Sequence, residues 1–295
     1  MVLTPQATSS THVPVPRPDR PGARRSPARR RRAGAGPLNA AAAELARLLD
    51  PLVENLVMFE AVDSTHAVAL RLIDQVDVEG LGLRPTVVVA DAQTRGVGRG
   101  DRRWLSPPGG LYLSWLSCAV PEPVVSRLPM LAAAAACSAL ADAGADRIGI
   151  KWPNDLLVGS RKLAGILVHC RRGATTRVIV SLGVNLQPIT GPVEGASEPP
   201  ISLAEVVGEE AAAAARVRIT ISFVRRLVEA LADPAPALEG WRRGLVHRPG
   251  DPIAVRTASG AVETGHFAGL TDDGFLRLAQ GTTERVVSGG DVIES

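Results

Sequence analysis

A loop rich in glycine and arginine, Gln93-Thr94-Arg95-Gly96-Val97-Gly98-Arg99-Gly100-Asp101-Arg102-Arg103-Trp104, stands between two segments with the character of buried strands. Before it, Thr86 to Ala90 is a continuous Val-rich run; after it, Leu111 to Cys118 is a second apolar run. A glycine loop that follows a strand invites a dinucleotide-binding reading. Here the spacing is GxGxG rather than GxGxxG, and a strand rather than a helix comes next, so no helix N-terminus is placed to cradle a pyrophosphate. A Walker lysine is also missing from the loop. What remains is a glycine backbone able to approach a ligand closely, with Arg99 able to grip a carboxylate or phosphate through paired hydrogen bonds.

The rest of the chain alternates between strand and helix patterns. Asn39 to Leu49 reads as a helix with Asn39 as N-cap and Pro51 as a stop. Residues 54–62 read as a strand, and Asp63-Ser64-Thr65 opens a helical pattern through Leu70, Leu72 and Ile73. Residues 126–143 read as a helix, Arg147 to Trp152 as a short strand, and Leu163 to Cys170 with Thr176 to Leu186 as a strand pair. A long helix covers 211–232. From Gly250 the pattern becomes short strands split by Ser259-Gly260, Asp272-Asp273-Gly274 and Gly289-Gly290, a small β-barrel too short to bury much core alone. The expected fold is α+β: a mixed sheet with flanking helices, followed by a small β-barrel. The expected boundaries are 1–37, 38–247 and 248–295.

Charge separates the first of these segments from the others. Residues 1–36 carry eight Arg and one acidic residue, Asp19, so of the net +3 about +7 lies in this tail and about −4 in the remainder. The tail is rich in Pro, Ser and Thr and is expected to be disordered. A contact with nucleic acid or an anionic surface, a solvated extension and a start placed too far upstream are all readings of it. Seven prolines before residue 38 argue against an amphipathic transit peptide, and no apolar stretch marks a secretory signal. No apolar run approaches the ~20 residues of a membrane-spanning helix. Cys118, Cys137 and Cys170 have no CxxC spacing, which argues against a zinc site or a disulfide framework and fits a reducing cytoplasm.

The basic residues themselves point to a site. Of 33, 31 are Arg and two are Lys, at Lys151 and Lys162. They fall in Lys151-Trp152-Pro153-Asn154-Asp155 and Arg161-Lys162-Leu163-Ala164-Gly165-Ile166-Leu167. Arg161 shows that Arg is acceptable one position from Lys162. A lysine is a compact, movable point charge where arginine is a broad plane, and it suits a phosphate or a developing transition-state charge. Asp63-Ser64-Thr65-His66 is, taken alone, a good N-cap. Ser181-Leu182-Gly183-Val184-Asn185-Leu186 places Gly and Asn at a strand end, where either a bulge or a ligand contact would use them.

Taken in order, Asp-Ser-Thr, Gln-Thr-x-Gly-x-Gly-Arg, Arg-Trp-x-Ser-Pro-Pro-Gly-Gly-Leu, Lys-Trp-Pro-Asn-Asp, Lys-Leu-Ala-Gly-Ile-Leu and Gly-Val-Asn-Leu resemble the biotin–protein ligases. The resemblance runs from about residue 57 to the C-terminus and includes Ile201-Ser202-Leu203 and Trp241. It implies a catalytic domain of the class II aminoacyl-tRNA-synthetase and biotin-ligase type with an SH3-like C-terminal domain. It also implies a two-step reaction, in which biotin and ATP, with Mg2+, give biotinyl-5′-AMP, and the biotinyl group then passes to a lysine of a biotin carboxyl carrier domain. By that resemblance the catalytic residues are Lys162, Arg99 and Asp155. Biotin would be met by Ser64, Thr65, His66, Gln93, Val97, Gly98, Arg99, Lys162 and Gly165. The nucleotide would be met by Arg99, Trp104, Lys151, Asn154 and Asn185. No resident metal site is implied.

The sequence departs from the family pattern at four places. Val97 stands where Arg is usual, Asp101 where Gly is usual, His66 where Asn is usual, and His169 where an acidic residue is usual. The first two make the loop about two charges less cationic. A lipoate-type ligase and a non-catalytic biotin- or adenylate-binding protein are the alternatives. A transcription regulator with a winged helix would need more than the roughly 56 residues preceding the match, so specific DNA binding is not expected.

Overall fold

The computed structural model describes residues 37–100, 102–117, 120–173, 175–190, 193, 199–257 and 259–293. The basic tail before Pro37, Asp101 and Cys118 lie outside the described residues. The first helix, α1 (Pro37–Leu49), begins two residues before the expected cap, so Asn39 lies within it. Strand β1 (Asn55–Val62) leads to α2 (Thr65–Glu79), which returns the chain to β2 (Thr86–Gln93) lying parallel to β1. A parallel pair requires such a crossover, and the helix supplies it.

Strand β3 (Leu111–Ser117) is buried along its whole length. A short α3 (Glu122–Val125) precedes the expected helix over 126–143, which is α4 (Leu128–Ala141) with Pro129 in its first turn. Proline is tolerated there because its missing N–H has no partner to lose. Strands β4 (Gly149–Lys151), β5 (Asp155–Val158), β6 (Arg161–Arg171) and β7 (Arg177–Val184) complete a seven-stranded sheet in the order β1-β2-β3-β7-β6-β5-β4. Helices α5 (Leu203–Val207), α6 (Glu209–Ala232) and α7 (Pro234–Gly244) follow.

Alternation along the strands divides the core. Val88, Leu116 and Ile179 point to one face and pack against Val68, Ala69 and Ile73 of α2. Leu111, Leu113, Trp115, Ile166, Val180 and Leu182 point to the other and join α4, α6 and α7. The alanine run of α4 is buried rather than spanning, and its small side chains let helices pack closely. No helix among the described residues is long and apolar enough to cross a membrane.

The C-terminal segment forms β8 (Pro252–Thr257), β9 (Val262–Leu270), β10 (Leu276–Gln280), β11 (Thr283–Val287) and β12 (Gly290–Ile293). They make one antiparallel sheet in the order β11-β10-β9-β8-β12. Its apolar residues Ile253, Val255, Phe267, Leu276, Leu278 and Val287 belong to the same continuous core as α4 and β6. A segment this short gains stability by sharing a core rather than building its own. Among the hydrogen bonds that tie the two parts, a buried one runs from Trp152 Nε1 to the Gly274 carbonyl at 2.9 Å, with Trp152 only 3% exposed. Replacing Trp152 with Phe strands that carbonyl and is expected to cost about 1–3 kcal/mol, read as a lower urea midpoint for the whole chain.

Candidate active site

Strand register aligns the sequence motifs. Lys151 pairs with Asp155, Asp155 with Gly165, Gly165 with Gly183, and Gly183 with Tyr112. Paired residues in a sheet point to the same face, so these five form one row across the α2 side of the sheet. The two glycines leave bare backbone in the middle of the row, with a cation and a carboxylate at one end.

The glycine and arginine loop folds as a hairpin rather than an open loop. Gly98 N donates to Arg102 O at 2.8 Å, Val97 bridges Arg103, and Trp104 N donates to Gly96 O at 3.0 Å. Gly100, with φ of 61°, takes a left-handed turn that favours glycine. The hairpin lays the Trp104 indole over the bare row: a Cβ at Gly183 would stand 2.6 Å from Trp104 Nε1, and one at Gly165 would stand 3.0 Å from its ring. Lys162 Nζ sits 5.1 Å from the Trp104 ring centroid and 2.7 Å from Asp155 Oδ1. Cation, carboxylate and aromatic face thus meet at one end of the groove. Trp104 Nε1 is buried without a hydrogen-bond partner.

At the other end of the groove, Ser64 caps α2, with Ala67 N donating to its hydroxyl at 3.5 Å. Asp63 accepts from Arg71 at 2.7 Å and lies 3.6 Å from Arg95. Its hydrogen bond to Arg71 holds its carboxyl down at about 2. Thr65 N donates to Gln93 Oε1 at 2.8 Å. His66 and Ser181 lie behind it, 2.9 Å apart and buried. Burial, with His169 beside it, pushes the His66 imidazole down to about 4.

Other expected residues are placed differently. Arg99, at the hairpin tip, donates to Gly290 O at 2.9 Å and Asp291 Oδ1 at 3.0 Å, both on β12, and lies 3.4 Å from Asn154 Oδ1. It reaches the C-terminal sheet rather than Lys162. Asn154 donates through Nδ2 to Ile166 O and so binds its turn to β6. Asn185 donates to Lys162 O at 3.2 Å and Ile201 O at 3.3 Å, which steadies the lysine backbone, while its Oδ1 has no hydrogen-bond partner. Val97 is 42% exposed and joins no part of the groove cluster. Among the described residues no group of three or more His, Cys, Asp or Glu side chains is arranged to hold a metal ion.

Sequence reasoning missed Ser106, Ser114 and Asp291. Gln93 Nε2 donates to Ser106 Oγ at 2.8 Å, and Ser114 Oγ donates to Thr65 Oγ1 at 2.9 Å. Ser114 and Ser181 each sit between apolar neighbours, and they face each other across β3 and β7. A hydroxyl in a buried strand needs a partner, which was the available signal. Asp291 gave no local signal, because its partners Arg99 and Arg102 are far away in sequence.

The depressed His66 value has a consequence for stability. Between pH 6.5 and 4 the unfolded chain binds a proton at this ring that the folded chain refuses, so stability falls as pH drops through that window. Burial pushes His247 in the same direction. His66→Asn is expected to flatten the fall by up to about 3 kcal/mol, read from urea midpoints across the window.

A model described as "Biotin/lipoate A/B protein ligase family" matches residues 59–185, and one described as "Biotin protein ligase C terminal domain" matches residues 250–293. The chain is 32% identical over 250 residues to the biotin--[acetyl-CoA-carboxylase] ligase of Paracoccus denitrificans, covering 80% of this chain and 98% of that one. It is 30% identical over 236 residues to the bifunctional ligase/repressor BirA of Bacillus subtilis (strain 168), covering 76% of this chain and 69% of that one. The solved biotin protein ligase from Aquifex aeolicus in complex with biotin and ATP shares the fold, with a TM-score of 0.61 at 23% identity, covering 81% of this chain and 98% of that one. With both its sheets matched in order, the chain belongs to the biotin–protein ligase family.

Proposed function

We propose that the chain joins biotin to ATP as biotinyl-5′-AMP and then passes the biotinyl group to a lysine of a biotin carboxyl carrier domain of an acyl-CoA carboxylase. The observation that carries this reading is the meeting of Lys162, Asp155 and Trp104 over the Gly165 and Gly183 backbone. In the first step a biotin carboxylate oxygen bonds to the α-phosphorus and pyrophosphate leaves. Two anions must approach, so a mobile ammonium at the closing end of the groove lowers the barrier by neutralising developing charge. Lys162 supplies it, with Lys151 in the same row as a second cation. Arg99 joins them by leaving Asp291 for the ligand.

In the second step the carrier amine bonds to the acyl carbon and AMP leaves. Asp155 orients that amine and accepts its proton once Lys162 has turned to the phosphate. Thr65, Ser64 and Gln93 match the ring urea of biotin, whose donors and acceptors need partners once buried. Trp104 covers the adenylate and limits its hydrolysis, and the open Asn185 Oδ1 offers an acceptor to the nucleotide. Magnesium enters with ATP as part of the substrate. A cytoplasmic reaction fits its need for ATP and a carrier.

Incubation with MgATP, biotin and a carrier domain is expected to leave covalent biotin on the carrier, while lipoate is not attached. Carrier labelled with lipoate instead would overturn the reading. Lys162→Arg is expected to lower adenylate formation about a hundredfold with the melting temperature kept, since its plane cannot reproduce the movable point charge. Asp155→Asn is expected to slow transfer from preformed biotinyl-5′-AMP by about a hundredfold, measured in a single turnover.

A further inference from the structure

The polar cluster behind the groove admits one arrangement of protons. Thr65 N–H can only donate, so Gln93 turns Oε1 toward it and Nε2 away, toward Ser106 Oγ. Ser106 Oγ donates on to the Trp104 carbonyl at 3.0 Å, which can only accept. The Thr65 hydroxyl spends its proton on the same Gln93 Oε1, at 3.3 Å. A hydroxyl owns one proton. Thr65 must therefore accept from Ser114 at 2.9 Å, and Ser114, its proton spent, must accept from Ser181 at 2.8 Å. Ser181 in turn must accept from His66 Nδ1 at 2.9 Å. The imidazole is thereby fixed as its Nδ1–H form.

We propose that His66 is a positioning residue for the cyclic urea of biotin: its Nδ1–H, acting through Ser181 and Ser114, holds the Thr65 hydroxyl with one lone pair open to the groove as an acceptor for a ureido N–H. The inference rests on the proposed function for its ligand. His66 is 7%, Ser181 9% and Ser114 0% exposed, so no bulk water can replace a missing link. The reverse direction would turn the Thr65 proton to Ser114 and set two lone pairs against each other between Thr65 Oγ1 and Gln93 Oε1. Burial keeps the ring neutral down to about 4, and His169, its ring centroid 5.8 Å away, disfavours a second charge. The one-way chain also ends on the backbone of Trp104, so the urea end and the aromatic cover of the groove are joined.

The test separates the donor at Nδ1 from the mere presence of a side chain. An Asn amide nitrogen stands at the same number of bonds from Cα as Nδ1, whereas a Gln amide nitrogen stands where Nε2 does. His66→Leu, His66→Gln and Ser181→Ala are expected to raise the KM for biotin about tenfold in adenylate formation, with the KM for ATP unchanged. His66→Asn recovers most of that loss. Equal impairment by Asn and Gln, an unchanged biotin KM in His66→Leu, or a matching rise in the KM for ATP overturns the proposal. Nitrogen-15 NMR of the His66 ring in the wild-type chain gives a readout independent of activity. A protonated Nδ1 and bare Nε2 are expected; the opposite tautomer in an active enzyme overturns this inference alone. A wild-type chain with the expected tautomer that forms no biotinyl-5′-AMP overturns the proposed function instead.

Discussion

Two stretches of bare backbone, Gly165 and Gly183, lie side by side on β6 and β7, and the site depends on them. A methyl group at either position would stand within 3.0 Å of the Trp104 ring system. Without side chains there, the sheet itself becomes the floor of a groove, and a hairpin from the next strand can lay an indole flat upon it. Lys162 then finds an aromatic face and a carboxylate within reach at once. Cation, carboxylate and cover are positioned by strand register, which is stiff because one face of every strand is committed to the core.

The polar end of the groove follows a different logic. Ser114 and Ser181 sit between apolar neighbours on their strands, at positions that face α2. Each buried hydroxyl costs stability unless it is paired. The chain from His66 to the Trp104 carbonyl pairs all of them, and the proton count gives it a direction. Such a network is worth its burial only when every member is satisfied. Its length couples the start of α2 to the hairpin that carries Arg99 and Trp104.

The Arg99 hairpin also touches the C-terminal sheet. Asp291 holds both Arg99 and Arg102, and Trp152 reaches Gly274 across the same seam. A sheet of five short strands has too little apolar surface to stand alone, so it shares the core of the larger one. That sharing brings β12 to the tip of the Arg99 hairpin, from which it is far removed in sequence.

Much of this was legible beforehand. The capped start of α2, the Val-rich β2, the strand after the glycine loop and the short-stranded C-terminal segment all follow from local pattern, because caps, turns and alternation act over a few residues. The isolation of Lys151 and Lys162 among 31 Arg points to the two segments whose Lys162 and Asp155 the fold brings together. Local pattern missed α3, because a helix of four residues is too short to show a period. It could not show that Asn154 and Asn185 spend amide protons on backbone carbonyls, that Val97 turns outward, or that Arg99 pairs with Asp291. Residue types and their spacing determined which chemistry the chain can perform and which elements carry it. Tertiary structure alone decided which side chains meet, since the row from Lys151 to Tyr112, the proton order from His66 to Trp104 and the Asp291 contact all depend on strand register and packing between segments far apart in sequence.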